Sequence, residues 1–239
     1  MLENLGLTNR AIAMLSLYPR SLVEQVTEEA EIKNILLKKG CPINHKIVEF
    51  QINFAGYLST TGYGMKIRLG MTKYADIYEE DDHWFCQFAT FEPDNAPADL
   101  MMDEQGKVYW EENPIPLAAS IEVFVESAAL SRWFRERTDI LYFLGGEDVL
   151  EIEPAQVATL NTILTGRGMK VAEEATDEFE QWWLDGDSAV HAFKIWSSDG
   201  SRVGVEAYIG PDNGYISPEE RREEFVTLFR ELNNIPLKE

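Results

Sequence analysis

The chain has 239 residues, with 21 Lys and Arg against 42 Asp and Glu, a formal charge of −21 at pH 7. Hydrophobic residues make up 45%, and six Trp, nine Tyr and twelve Phe are spread along the chain, which excludes low-complexity disorder; no sustained heptad or G-x-y pattern and no apolar run of about 20 residues occurs, which excludes a coiled coil, a collagen-like fibre and a membrane-spanning helix. Twice as many acids as bases also excludes nucleic acid and an anionic membrane surface as partners, since both would be repelled.

In chain order, Leu15, Leu22, Val26, Ile32, Ile35 and Leu36 suit one or two amphipathic helices over Leu15–Leu37, stopped by Lys38-Lys39-Gly40. Ile43, Ile47, Phe50, Phe54 and Tyr57 follow at helical spacing, with Asn44 as cap. From Tyr63 to Phe91 the pattern is strand, broken by Glu79-Glu80-Asp81-Asp82, a solvated turn or loop. Leu100–Trp110 reads as strand, turn, strand. A helix opens at Ala119 or Ser120 and runs to about Arg135, burying Ile121, Phe124, Val125, Ala128 and Trp133. Ile140–Leu144 is a strand ended by Gly145-Gly146.

Pro154 starts a helix carrying Val157, Leu160 and Leu164. Phe179–Trp183, Ala189–Trp196 and Arg202–Ile209 form a meander with turns at Asp185-Gly186 and Asp199-Gly200. The closing helix has a capping box, Ser217-Pro218-Glu219-Glu220, and a stripe of Phe225, Leu228, Phe229 and Leu232. Strands interleaved with helices but without βαβ regularity give an α+β class with mostly antiparallel sheet flanked by helices. The expected division is residues 1–145 and 146–239, the second a helix–meander–helix extension that one larger domain could equally absorb.

The stock of catalytic residues is thin. Two cysteines, Cys41 and Cys86, make neither a disulfide framework nor a Cys-only metal site. His45 belongs to a helix start, His83 follows the acidic loop without a second ligand group at metal spacing, and His191 reads as a cross-strand polar partner. Gly62-Tyr63-Gly64 lacks the rest of a dinucleotide fingerprint, and Gly166-Arg167-Gly168 reads as a helix stop. With 42 acids, a glycosidase-like carboxylate pair would arise by chance. No catalytic residue, cofactor or metal is expected. Met1–Ser21 lacks the continuous apolar core of a signal peptide and reads as part of the fold, so cytoplasm is the expected compartment.

The remaining signal is surface. Acids adjoin aromatics at Glu79–Asp82 before Trp84, at Asp103-Glu104 before Tyr109-Trp110, at Glu111-Glu112, and at Asp185 and Asp187 after Trp182-Trp183. Two readings stand: acidic rims around aromatic anchors that take a basic protein, or core aromatics beside solvated acids.

Gly40-Cys41-Pro42-Ile43, then Ile47-Val48-Glu49-Phe50-Gln51 and Phe54-Ala55-Gly56-Tyr57, resemble the N-terminal signature of the SUKH superfamily. Met102–Tyr109, leading through Pro116-Leu117-Ala118-Ala119-Ser120 into Ile121–Val125, is similar to that superfamily's later block. The resemblance covers Ile35–Trp133 and leaves Gly145–Glu239 unmatched. It implies an α+β fold without an active site, and in bacteria a cytosolic immunity protein that binds and neutralises a polymorphic toxin, often a nuclease with a basic cleft. The contact positions expected are Glu79, Glu80, Asp81, Asp82, Glu111 and Glu112. The alternatives are a regulatory or scaffold module of the same superfamily that binds a host protein, and a hydrolase using carboxylates only.

Overall fold

The computed structural model describes residues 2, 5–60, 66–92, 100–110, 115–137, 139–140, 142–144, 150–194, 202–211 and 217–234. The protein is α+β, and its strands pair antiparallel among the described residues. The chain divides into two units, Met1–Arg132 and Trp133–Glu239. The first holds 11 basic and 20 acidic residues and the second 10 and 22, so the acidity is a property of both.

In the first unit, Thr8 caps α1 (Asn9–Leu15) and Asn44 caps α3 (His45–Phe54), each side chain accepting from a backbone N–H of the first turn. Between them lies α2 (Glu29–Lys38). Of the one or two helices expected over Leu15–Leu37, the one stopped at Lys38-Lys39-Gly40 is α2, and the first half is corrected: α1 ends at Leu15, and residues 16–28 are non-helical. Leu22 and Val26 mimic helical spacing, but Val26 is buried because its N–H donates to the Met71 carbonyl at 3.1 Å. Gln51 secures that pairing. Fully buried on α3, it donates to the carbonyls of Val26 and Met71 and accepts from the Met71 N–H at 2.6 Å.

The first sheet has β1 (Leu58–Thr60), β2 (Lys66–Leu69), β3 (Ile77–Glu80), β4 (His83–Glu92), β5 (Leu100–Asp103), β6 (Val108–Trp110) and β7 (Ile115–Ala118). The order is β1-β2-β4-β5-β6-β7, with β3 also on β4. The long β4 carries two partners along one edge, β3 against His83–Cys86 and β2 against Ala89–Glu92. At the join Phe88 packs edge-on to Phe50 of α3 and to Phe124 of α4 (Ile121–Glu136), amid Ile67, Leu69, Leu100, Met102 and Val125. Ile121, Phe124, Val125 and Ala128 form the buried stripe of α4 as expected, but Trp133 does not. It lies roughly 140° around the helix from Ala128, half exposed beneath the Arg137 guanidinium.

The second unit begins at Trp133. Its sheet runs β10 (Lys170–Val171), β11 (Glu180–Asp185), β12 (Ser188–Lys194), β13 (Val203–Ile209), β8 (Tyr142–Leu144), with β9 (Leu150–Ile152) also on β13. Tyr142–Leu144 pairs with Ala207–Ile209. The expected strand at Ile140–Leu144 therefore belongs to this sheet, and the division falls at 132/133 rather than 145/146. Trp183, Val190, Ala192, Val205 and Ala207 pack against Leu160 and Leu164 of α5 (Pro154–Gly166) and Phe225, Leu228 and Leu232 of α6 (Pro218–Asn234). Ser217 and Glu220 close the expected capping box. Gly145-Gly146 and Asp199-Gly200 lie outside the described residues.

Candidate functional site

Four acids expected as contacts sit at the tip of the β3–β4 hairpin. Glu79 faces Trp84 and Glu80 faces His83 across the ladder, leaving Asp81-Asp82 as a two-residue turn. The loop expected at Glu79–Asp82 is therefore half strand. Both Asp81 (φ 50°) and Asp82 (φ 65°) are left-handed, as a type I′ turn requires, and such turns favour Asn-Gly because Cβ penalises that backbone. All four acids are exposed, and none has an ion-pair partner among the described residues.

Below the tip the hairpin is firm. Tyr78 stacks on Phe85, which meets Tyr109 edge-on, with ring centroids 5.6 and 5.3 Å apart. Glu104, in the β5–β6 turn, places one oxygen 2.9 Å from His83 Nδ1, and the other accepts from the Trp84 N–H at 2.9 Å. Burial pushes the Glu104 carboxyl up, but His83 and the backbone N–H groups of Glu104 and Trp84 outweigh it and hold it below its usual range. Glu104 in turn raises His83. Asn44 ties the Glu104 carbonyl to the start of α3.

Asp103 has a different task. It accepts from the N–H groups of Gln105 and Lys107 and from the Tyr109 hydroxyl, at 2.8 to 3.0 Å, and is buried; it organises the turn. Glu111 and Glu112 lie outside the described residues. The aromatics beside the acids are mostly core: Phe85, Trp110, Trp182 and Trp183 are buried, which overturns their reading as exposed anchors.

A second constellation has His191 as the cross-strand polar partner expected, among partners that the sequence did not disclose. On the face of the second sheet opposite α5 and α6, Trp182, His191 and Glu206 are direct cross-strand neighbours. Glu206 is buried, accepts from Arg135 Nη2 on both oxygens at 3.2 and 3.1 Å, and accepts from the Tyr208 hydroxyl at 3.0 Å. His191 lies on Trp182, with Nε2 3.9 Å from Glu180 and Nδ1 4.0 Å from Glu206. Both distances exceed a hydrogen bond, and neither ring nitrogen has a hydrogen-bond partner among the described residues. Burial lowers the His191 pKa. Burial alone would raise Glu206, but its neighbours, Arg135 among them, hold it ionised.

Carboxylates, an imidazole and a guanidinium could serve acid–base chemistry. Here, however, His191 and Glu206 are closed to solvent at 3% exposure each, whereas a general base must reach its substrate. Their geometry suits a buried charge network that fixes strand register. Among the described residues no group of three His, Cys, Asp or Glu could hold a metal ion, and no helix is long and apolar enough to cross a membrane.

Comparison with protein-family models, with curated proteins and with solved structures finds no match for this chain.

Proposed function

We propose that the chain is a non-catalytic acidic binding protein that docks on a basic protein through the tip of the β3–β4 hairpin, acting as an immunity protein that blocks a cognate toxin domain. The observation that carries this reading is the turn. Two aspartates occupy left-handed positions where Asn-Gly would sit with less strain, and four adjacent carboxylates repel one another with no ion-pair partner among the described residues. Unfavourable backbone and charge at one exposed tip are the signature of a surface shaped for something other than stability. A basic cleft would relieve both the repulsion and the field. Steering by opposite charge speeds encounter, and the docked tip excludes substrate from the cleft. The resemblance of Ile35–Trp133 to the SUKH superfamily supports the same reading.

The test uses the tagged chain as bait in its native cells, beside a variant with Glu79 and Glu80 replaced by Ser and Asp81 and Asp82 by Asn. The expected result is one basic protein captured by the first bait only, released as salt rises, and toxic when expressed alone. Recovery of signalling or cell-envelope proteins alike on both baits would favour a regulatory module instead.

A further inference from the structure

Far along β4 from the hairpin tip, the first unit carries an open groove of about 680 Å³. It is lined by the segments Val23–Val26 and Thr72–Tyr74, by Thr90 of β4 and by Glu31 of α2. The two segments are joined by the antiparallel bridge Gln25–Thr72 and by the Val26–Met71 hydrogen bond that Gln51 reinforces. The groove is therefore held in shape before anything enters it, which lowers the ordering cost of binding.

Val23 is 90% exposed and Tyr74 79%, with Leu22 partly exposed beside Val23. Val23 and Tyr74 each lie two residues from the bridged pair Gln25–Thr72, and two large hydrophobic side chains left in water at one groove mark an interaction surface rather than a scattered pair. Its charge names the occupant. Glu24 and Glu31 line it, Glu28 lies between them in sequence, and none of the three has an ion-pair partner among the described residues. Among the described residues, the one cation lining it, Lys73, lies over the ring of Tyr74.

We infer that this groove is a docking site for an extended segment of a basic protein, a segment that sets an aromatic or branched aliphatic side chain between Val23 and Tyr74 and a Lys or Arg against Glu24 and Glu31. The inference rests on the reading of the chain as a binder of basic proteins, but on none of the hairpin residues.

The test is selection of a displayed library of random dodecapeptides on the immobilised full chain, followed by titration of the enriched peptides. Three variants are titrated in parallel: Val23→Ser with Tyr74→Ser, Glu24→Gln with Glu31→Gln, and the hairpin variant with its four acids replaced. All of these positions are on the surface, and a cooperative thermal transition no lower than the parent's verifies that each variant folds. Enriched peptides should combine an aromatic or branched aliphatic residue with Lys or Arg. They should bind the Val23/Tyr74 variant about tenfold or more weakly, as expected for loss of an apolar anchor, lose affinity and salt sensitivity on the Glu24/Glu31 variant, and bind the hairpin variant as well as the parent. No enrichment, enrichment of acidic peptides, or affinity untouched by both groove variants would overturn the inference. So would a dimer in light scattering that the Val23/Tyr74 variant abolishes, since a second copy would then own the surface. Peptides lost only on the hairpin variant would sink the groove and leave the hairpin reading standing; groove binding beside a native partner that ignores the hairpin variant would do the reverse.

Discussion

Glu104 holds the acidic hairpin from the side: one carboxylate oxygen meets His83 at 2.9 Å, and the other takes the backbone N–H of Trp84. A residue from a neighbouring turn thereby fixes the strand that begins where the acidic turn ends. Glu104→Ala leaves the Trp84 amide without its acceptor. Its hydrogen exchange should accelerate by about tenfold, the equivalent of one net hydrogen bond, while amides in the second unit keep their protection.

The turn itself predicts a trade of function against stability. Asp81→Asn with Asp82→Gly supplies the residues a type I′ turn favours and removes two like charges. The double variant should gain about 1 kcal/mol, or roughly 2–4 °C in Tm for a chain of this size, and should associate more slowly with a basic partner. Loss of stability, read by thermal or urea denaturation, would contradict the backbone account.

Stability should also depend on His191. Its folded pKa lies below the unfolded value, so the unfolded chain takes the proton first and stability falls as pH drops through about 6.5. Glu206 is also depressed, but its contribution is lost only at lower pH, as the carboxylate titrates. His191→Phe keeps the ring stacked on Trp182 and removes the proton site. Melting measured from pH 7.5 to 3.5 should show a flatter profile above pH 5 for this variant than for the parent, with the decline below pH 4.5 retained by both.

Arg135→Met leaves the Glu206 carboxylate buried without its cation. The predicted loss is about 2–3 kcal/mol, below the range for fully enclosed pairs because the Arg135 side chain is a third exposed. Adding Glu206→Gln should recover much of it, since the residual penalty is that of the orphaned charge. An additive double variant, read by urea denaturation, would mean that the two residues act separately.

What the sequence disclosed, and what it hid, follows from distance along the chain. The Asn44 cap, the Ser217–Glu220 capping box and the Phe225–Leu232 stripe are local signals, and each forms as expected. The acids of the hairpin were visible as a run, but the left-handed turn that singles them out appears only once Glu80 pairs with His83. The segment from Ser16 to Glu28 misled because apolar spacing cannot distinguish a helix face from side chains buried by pairing with a distant strand, as Val26 is with Met71. Of the network of Arg135, Glu180, His191 and Glu206, only His191 was legible, as a cross-strand polar partner; sheet register sets Glu206 beside it, and Arg135 reaches Glu206 from α4, 71 positions away.

Gln51 ties together what local pattern could not. Gln51→Leu keeps the volume but takes the Gln51 partner from the Val26 carbonyl and the Met71 N–H, and leaves the Met71 carbonyl with the Val26 N–H. The first unit should lose about 2–4 kcal/mol, and limited proteolysis should cut first within residues 16–28.

The central claim is a charge-steered dock at the hairpin, and association kinetics test it most directly. The on-rate of the captured basic partner is measured against salt for the parent chain and for the variant lacking the four acids at Glu79, Glu80, Asp81 and Asp82. The account predicts a steep fall of on-rate with salt for the parent, and for the variant a slower association at low salt with a flattened salt dependence, without loss of stability. Superimposable salt profiles for the two proteins would remove the hairpin from the binding site.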